Sequence, residues 1–363
     1  MKLTPKTKRN ISRIIPFGVI WLMSGLVFII SDIGVTRNQN PNPDTDIAFT
    51  IPVLIFANFA NIFVGTIVGL LEVVFLEKRF VNYSLRSKFF YKLLIYLFLF
   101  LIVIVAFYPI AFIVSNDFSS SGLVVKMGRF LTSVSFLTTL FQLSVSLIVC
   151  LIYSAVSENL GHHVFLNFFT GKYHSPVVEK RIFMFLDMKS STTIAEALGH
   201  VRYFQLLQKY YNIMSGPIIN SYGEVYQYIG DEIVISWSME KGLKNANCLK
   251  CFFEIRDQLN THQSSLMADF GFDIGFKAGV HFGEVTIGEV GALKKEVVFT
   301  GDVLNTTARI QSHCNDLQSD LLISGELKNL LPSHDYSFKS KGTIALKGRE
   351  RQEELFDVSA PDK

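Results

Sequence analysis

The sequence predicts two structural classes in one chain: a four-helix transmembrane part, followed by an α+β domain with a mixed, mainly antiparallel sheet covered by helices. Three observations support this prediction. Apolar residues make up 49% of the 363 residues and are concentrated before Ser157. After Lys180, short β-rich runs alternate with stretches of helical periodicity. Two of these runs end at an aspartate, Asp187 and Asp231. The expected limits are 1–153 for the transmembrane domain, 154–180 for a juxtamembrane connector and 181–358 for the α+β domain.

Four apolar segments are long enough to cross a bilayer, which takes about 20 residues each. They are Ile14–Ile33, Ile47–Leu71, Phe89–Val114 and Phe130–Tyr153. The first is not a cleavable signal peptide, because its apolar run is long and three more spans follow. Ionisable residues are nearly absent at depth, since Asn58 and Asn61 are only polar and Glu72 lies at a helix end. The spans are therefore predicted to be an anchor or receptor and not a transport path.

The short loops differ in positive charge, and this difference predicts the orientation. Lysine and arginine are frequent before the first span and between the second and third spans. They are Lys2, Lys6, Lys8, Arg9 and Arg13, then Lys78, Arg79, Arg86, Lys88 and Lys92. The two other loops are poor in cations. We expect a multi-pass protein of the cell membrane, in contact with the lipid bilayer, with both termini and the α+β domain in the cytoplasm.

Charge and cysteine content exclude some classes of protein. A net charge of +3 is too small to indicate nucleic acid binding. The four cysteines show no disulfide framework, and reduced thiols are expected. Cys248 and Cys251 form a CxxC pair without a second pair of ligands, so a zinc site is not predicted. His281 is expected to be a packed core residue.

Two acidic residues stand at strand ends. The run FMFLDMKSSTTIAEAL places Asp187 directly before a polar turn and a helix start, and YQYIGDEIVISW places Asp231 on a Gly-Asp turn. Taken singly, Asp187 fits a helix N-cap and Asp231 an ordinary turn residue. Two carboxylates beside the free amides of a helix start suit a magnesium–triphosphate complex.

A third segment, FTGDVLNTTARI, carries Asn305 and Arg309 four positions apart on one helix face. Such a pair is also common on a solvated helix face. Together with the two acidic motifs, it predicts a nucleotide-processing site.

The ordered motifs resemble those of the class III adenylate/guanylate cyclase catalytic domain, over roughly Lys180 to Val358. The resemblance implies a ferredoxin-like core and two divalent cations per active site, Mg²⁺ or Mn²⁺, held by Asp187 and Asp231. It implies that Arg309 stabilises the transition state and that Asn305 orients the ribose. Lys347 matches the lysine for the terminal phosphate, with Lys341 and Arg349 as competitors. The backbone of the turn Met188–Thr192, which contains Ser190, Ser191 and Thr192, is expected to bind the phosphates.

The base-reading positions depart from the family pattern. The position four before the second aspartate is lysine in typical adenylate cyclases and an acid in guanylate cyclases, and here it is Gln227. The second position corresponds to Val298, whose side chain cannot form a hydrogen bond with a base edge. The stringency for ATP over GTP is therefore open.

In the family, the aspartates of one domain face the asparagine, arginine and lysine of a partner domain. This chain has each set once, so the resemblance implies a homodimer with two equivalent sites. The expected function is a membrane-bound adenylate cyclase that converts ATP to cyclic AMP and pyrophosphate. The alternatives are a guanylate or mixed-specificity cyclase and a catalytically silent membrane receptor. A diguanylate cyclase fits less well, because no Gly-Gly-Asp-Glu-Phe turn is present.

Overall fold

The computed structural model describes two compact units. The described residues are 3–35, 47–48, 50–80, 83–115, 122–160, 171–293, 295–332, 336–345 and 352–360. The units are Thr7–Leu166 and Asn167–Lys363, and the division between them falls inside the predicted connector.

The described residues of the first unit contain five α-helices of nine or more residues. They are α1 (Pro5–Val35), α2 (Ile51–Leu70), α3 (Leu85–Ser115), α4 (Leu123–Leu131) and α5 (Val134–Leu160). Helix α2 continues as a π-helical turn, Leu71–Leu76, and a short helical turn, Glu77–Arg79. Four stretches are long and apolar enough to cross a membrane, and they coincide with the four predicted spans. These are Pro5–Gly34, Ile51–Leu76, Arg86–Ser115 and Val134–Glu158.

The position of Glu72 in the first unit corrects a prediction from the sequence. Glu72 does not stand at a helix end but is buried inside the π-helical turn, with 3% of its surface exposed. Lys92 forms an ion pair with it, and the Tyr96 hydroxyl donates to its Oε2 at 2.8 Å. Asn58 donates from Nδ2 to Leu54 O of its own helix at 2.8 Å. The charge of Glu72 is thus paired within the helix bundle, which is what burial of a carboxylate requires.

An eight-stranded sheet forms the centre of the second unit. Its strands are β1 (Val177–Met188), β2 (Glu224–Ile229), β3 (Glu232–Ser238), β4 (Phe276–Val290), β5 (Glu296–Thr300), β6 (Leu321–Ser324), β7 (Ser337–Ala345) and β8 (Gln352–Ser359). The order is β2-β3-β1-β4-β6-β8-β7, and β5 pairs with β4 away from this path. Only β4 and β6 run parallel among the described strand pairs. The structure confirms the predicted mixed, mainly antiparallel sheet.

Helices cover the sheet on both faces. They are α6 (Ser191–Asn220), α7 (Met239–Leu243), α8 (Asn247–Phe270), α9 (Asp302–Ser312) and α10 (Gly325–Lys328). Strand β1 is a nearly continuous buried run because both of its faces are covered. Ile182, Met184 and Leu186 belong to the core cluster that includes α6 and α8 residues. Phe183 and Phe185 belong to a second cluster with residues of β5 and α9. By strand alternation, Asp187 continues this second face, towards α9.

Candidate active site

Asp187 and Asp231 approach each other closely. Asp187 is the penultimate residue of β1, and Asp231 lies in the turn between β2 and β3. Strand β3 pairs with β1 so that Ile233 lies opposite Leu186, and this register brings the β2–β3 turn to the end of β1 that carries Asp187. The Asp231 carboxyl is near enough to raise the pKa of the Asp187 carboxyl. The structure therefore brings together the two acids that the sequence placed 44 positions apart.

Two further side chains bind the Asp187 carboxylate. Lys277 lies opposite Asp187 in the β1–β4 register, with Nζ 3.6 Å from Oδ2. Gln311 of α9 donates from Nε2 to the same Oδ2 at 3.2 Å. Helix α9 can pack this close because residue 279 of β4 is glycine, where a Cβ would lie 2.4 Å from the Gln311 backbone nitrogen. One carboxylate oxygen thus has an ion-pair partner from β4 and a hydrogen-bond donor from α9.

Neighbouring carboxylates raise the pKa of Asp187 and of Glu232. Burial raises the pKa of Asp187, and the neighbouring Asp231 raises it further, whereas Lys277 and Gln311 act in the opposite direction. Glu232 follows Asp231 directly, and burial, then Asp187 and Asp231, raise its pKa to about 7. Ionising all of these acids together is unfavourable, and a bound cation would offset the repulsion among the ionised carboxylates.

The helix start next to Asp187 is only partly available as a phosphate cradle. The Lys189 amide donates to Gly275 O at 2.9 Å, and the Met188 side chain is buried in the core, with 1% exposed. Any contact of Met188 with a ligand is therefore limited to its backbone. Ser190 precedes the helix with φ at 55°, and α6 begins at Ser191, followed by the exposed Thr192. The first amides of a helix lack carbonyl partners within it, so those after Ser190 can bind an anion.

Asn305 and Arg309 lie on the outward side of α9. The buried side of this helix is formed by Val303, Thr306, Thr307, Ile310 and Gln311. Asn305 is exposed and Arg309 is half-buried. At 100° per residue, Arg309 projects about 160° away from Gln311, the residue that contacts Asp187. The pair is therefore presented to the surroundings of the domain and not to the acids of its own chain.

Gln227 and Val298, the base-reading candidates, are on two strands that contact each other. Gln227 is exposed on β2, where it pairs with Val234, and Val298 is half-buried on β5, where it pairs with Gly288. The neighbouring rings of Tyr226 and Phe299 stack at 4.5 Å with an interplanar angle of 3°. The Tyr226 hydroxyl also accepts the Phe299 amide at 3.2 Å. This contact holds the two strands together.

Lys347 and Arg349 lie outside the described residues, so the predicted lysine for the terminal phosphate has no observed position. Of its competitors, Lys341 donates from Nζ to Leu317 O at 2.8 Å.

Sequence reasoning missed Lys277, Gln311 and Glu232. Glu232 was visible as the residue after Asp231, but its raised pKa depends on burial, which the motif does not reveal. Lys277 and Gln311 were hidden because their relation to Asp187 is set by strand register and helix packing. The available signal for Lys277 was a lysine between the apolar residues Phe276 and Ala278 of β4.

The other candidate sites are core positions. His281 is 2% exposed, and its Nδ1 lies 2.7 Å from Ser324 Oγ, as expected for a packed histidine. Cys248 and Cys251 are buried in α8, and burial raises the pKa of each thiol to about 12. In the part of the chain that the structure describes, no group of three or more His, Cys, Asp or Glu side chains is placed to hold a metal ion. A cation at Asp187 and Asp231 would thus need oxygen ligands from a substrate or water as well, which Mg²⁺ commonly uses.

Three comparisons relate the chain to known proteins. A family model described as the adenylate and guanylate cyclase catalytic domain matches residues 175–357, just over half of the chain. Adenylate cyclase 2 of Rhizobium meliloti (strain 1021) is 33% identical over 206 residues, which are 56% of this chain and 57% of that protein. Adenylate cyclase 1 of the same organism is 25% identical over 183 residues, 48% of this chain and 27% of that protein. The chain thus spans little more than half of the first relative and about a quarter of the second.

Among solved structures, a bacterial light-regulated adenylyl cyclase superposes with a TM-score of 0.54 at 21% identity, covering 63% of this chain and 67% of that one. At this identity the likeness concerns the fold. It agrees with the sheet order and the helices described above. With the match of the family model to more than half of the residues, the chain belongs to the adenylate and guanylate cyclase catalytic domain family.

Proposed function

We propose that this chain is a membrane-anchored adenylate cyclase that converts ATP to 3′,5′-cyclic AMP and pyrophosphate at a homodimer interface. The observation that carries the proposal is the close approach of Asp187 and Asp231 while Asn305 and Arg309 face outward on α9. Membership of the cyclase family and the names of the two Rhizobium relatives support the reaction class.

The residues fit a divalent cation. Asp231 raises the pKa of Asp187, and both raise the pKa of Glu232, because negative charges are close together at this site. Two Mg²⁺ or Mn²⁺ ions, when bound there, would neutralise triphosphate charge and favour ionisation of the attacking hydroxyl. Both aspartates would serve as their protein ligands.

The remaining residues would bind and orient the nucleotide. In the reaction, the 3′-oxygen forms a bond to the α-phosphorus, and the bond between that phosphorus and the oxygen leading to the β-phosphorus breaks. Lys277, next to Asp187, would bring positive charge to the phosphates. The free amides after Ser190 would donate hydrogen bonds to them. Asn305 of the partner copy would orient the ribose, and its Arg309 would meet the charge that builds on the α-phosphate oxygens.

The need for a second copy follows from the direction of α9. A single domain holds the acids on one side of this helix and presents Arg309 on the other. A two-fold dimer would supply Arg309 of each copy to the acids of the other, giving two equivalent sites. Confinement of both copies to a membrane by the four apolar helices would raise their effective concentration.

We further propose that both termini and the catalytic domain are cytoplasmic, because cations are concentrated before the first span and after the second. The cytoplasm is also where ATP is available.

Guanylate or mixed specificity is the second candidate, and one observation favours it. Gln227 is exposed on β2 and is neutral, and its amide can present a donor or an acceptor to a base. The test is direct: the purified full chain in detergent is given ATP or GTP with Mg²⁺ or Mn²⁺, and cyclic nucleotide and pyrophosphate are measured. Cyclic AMP exceeding cyclic GMP supports the proposal, whereas no cyclic product with any pair would refute it.

A further inference from the structure

The turn that carries Asp231 is a two-residue hairpin loop. Ile229 pairs with Glu232, so only Gly230 and Asp231 connect β2 to β3. Gly230 has φ at +64°, in the region that such loops require and that glycine adopts without strain. The loop lies at the end of β2, the outermost strand on this side of the described sheet, whose last residues are exposed.

One side chain from a different element holds this turn. Tyr211 of α6 donates its hydroxyl to Gly230 O at 2.7 Å, and the same hydroxyl lies 3.4 Å from Glu232 O. The two carbonyls belong to the residues immediately before and after Asp231. The Tyr211 ring also packs against Tyr228 of β2, with ring centres 4.5 Å apart.

We propose that Tyr211 is a positioning residue that holds Asp231 in place for cation binding by tying the backbone on both sides of it to α6. This rests on the function proposed above. Asp187 sits on a central strand, held by β3 and β4 on its two sides, and needs no such support. Asp231 is at a hairpin tip at the end of the outermost described strand on this side, so its position depends on what holds the turn. The hydroxyl supplies that restraint from a helix that is packed into the core.

Removal of one oxygen atom tests this. In Tyr211→Phe the ring and its packing against Tyr228 stay, and only the hydrogen bond to the turn is lost. Tyr210→Phe is the matched control, because Tyr210 is the preceding residue and its hydroxyl is buried without a hydrogen-bond partner among the described residues. The full chain in detergent is freed of metal and titrated with Mn²⁺ in the presence of a non-cyclisable ATP analogue. Electron paramagnetic resonance of the free ion, corrected for the Mn²⁺ that the analogue binds in a protein-free titration, gives the Kd of the protein site without any need for catalysis.

We expect Tyr211→Phe to raise the Mn²⁺ Kd about three- to tenfold, the size expected for one lost hydrogen bond. The Mg²⁺ concentration for half-maximal activity should rise by a similar factor, while kcat at saturating metal stays within about twofold of wild type. Tyr210→Phe should leave both metal constants unchanged.

Two results would overturn the role of Tyr211. They are an unchanged Kd in Tyr211→Phe, whether or not its thermal midpoint falls, and equal increases of the Kd in both variants. A wild-type chain that binds no Mn²⁺ beside the analogue would also overturn it. If wild type binds Mn²⁺ but makes no cyclic nucleotide, the proposed function fails, and the Kd comparison still decides the role of Tyr211.

Discussion

Gln311 donates a hydrogen bond from Nε2 to Oδ2 of Asp187 at 3.2 Å, so helix α9 reaches the acids of its own chain through its buried side. Arg309, two residues earlier, is on the outward side of the same helix. Helix α9 therefore contacts the acids through Gln311 and directs Arg309 away from them. A second copy of the chain is the simplest source of the missing arginine.

The first prediction concerns the acids. Asp231→Asn should lower cyclic nucleotide formation by about 100-fold or more, because loss of even an outer-shell partner of a metal ion costs roughly 10- to 100-fold. Asp273→Asn is a matched control, since Asp273 is exposed and belongs to the same domain. Activity assays with Mg²⁺ and circular dichroism of both variants make the test. Full activity in Asp231→Asn would show that this acid holds no required metal.

The second prediction concerns the hydrogen bond between Gln311 and Asp187. Gln311 lowers the pKa of Asp187, so Gln311→Leu should raise it. Because the metal needs the ionised carboxylate, the acid side of the pH–activity profile should move to higher pH, with a larger loss at pH 6 than at pH 8. Gln258→Leu, an exposed glutamine of α8, is the control. An equal loss at every pH would indicate a packing effect alone.

The third prediction is a pH dependence of stability without metal. The folded-state pKa of Glu232 is about 7, above the ordinary 4.5. Because the protonated carboxyl is favoured in the folded state, stability is highest when pH is below the pKa of the unfolded chain. It falls as pH rises through the folded-state pKa. In EDTA, the thermal midpoint of wild type should therefore fall relative to Glu232→Gln between about pH 5 and pH 8, by roughly 2–4 °C for each kcal/mol lost.

Addition of Mn²⁺ should reduce that decline, because a bound cation offsets the repulsion among the ionised acids. A midpoint difference between wild type and Glu232→Gln that does not change with pH would show that Glu232 does not titrate in this range.

The fourth prediction concerns the base. Gln227→Lys should raise the ratio of kcat/KM for ATP over GTP, and Gln227→Glu should lower it, each by about tenfold, because a base edge left without its partner is rejected. Competition between the two nucleotides in one assay measures the ratio. If neither substitution changes the ATP/GTP ratio, Gln227 does not contact the base, and a different residue must select it.

Much of the architecture was predictable from local pattern. The four spans follow from apolar length, and the strand–turn–helix around Asp187 follows from a buried run that ends in Asp-Met-Lys-Ser. Both features depend on periodicity and turn chemistry, which neighbouring residues determine. That Asp187 and Asp231 meet was predicted from the resemblance of the ordered motifs to the cyclase catalytic domain.

The contacts around the acids were not predictable in the same way. Lys277 reaches Asp187 only because of the β1–β4 register, and Tyr211 reaches Gly230 only because α6 crosses the β2–β3 turn. Glu72 appeared to be at a helix end, but a π-helical turn extends α2 and buries it beside Lys92. Such relations join residues far apart in sequence, and their geometry depends on packing that local pattern does not specify.

The most direct measurement of the central claim is complementation between two inactive full-length variants, Asp231→Asn and Arg309→Ala. Each alone should lose activity, the arginine variant by about 10²- to 10³-fold. In a mixed population, a heterodimer has one site with both residues intact, so co-expression in equal amounts should restore about one quarter of wild-type activity. Co-expressed variants that stay as inactive as each one alone would contradict a site shared between two copies.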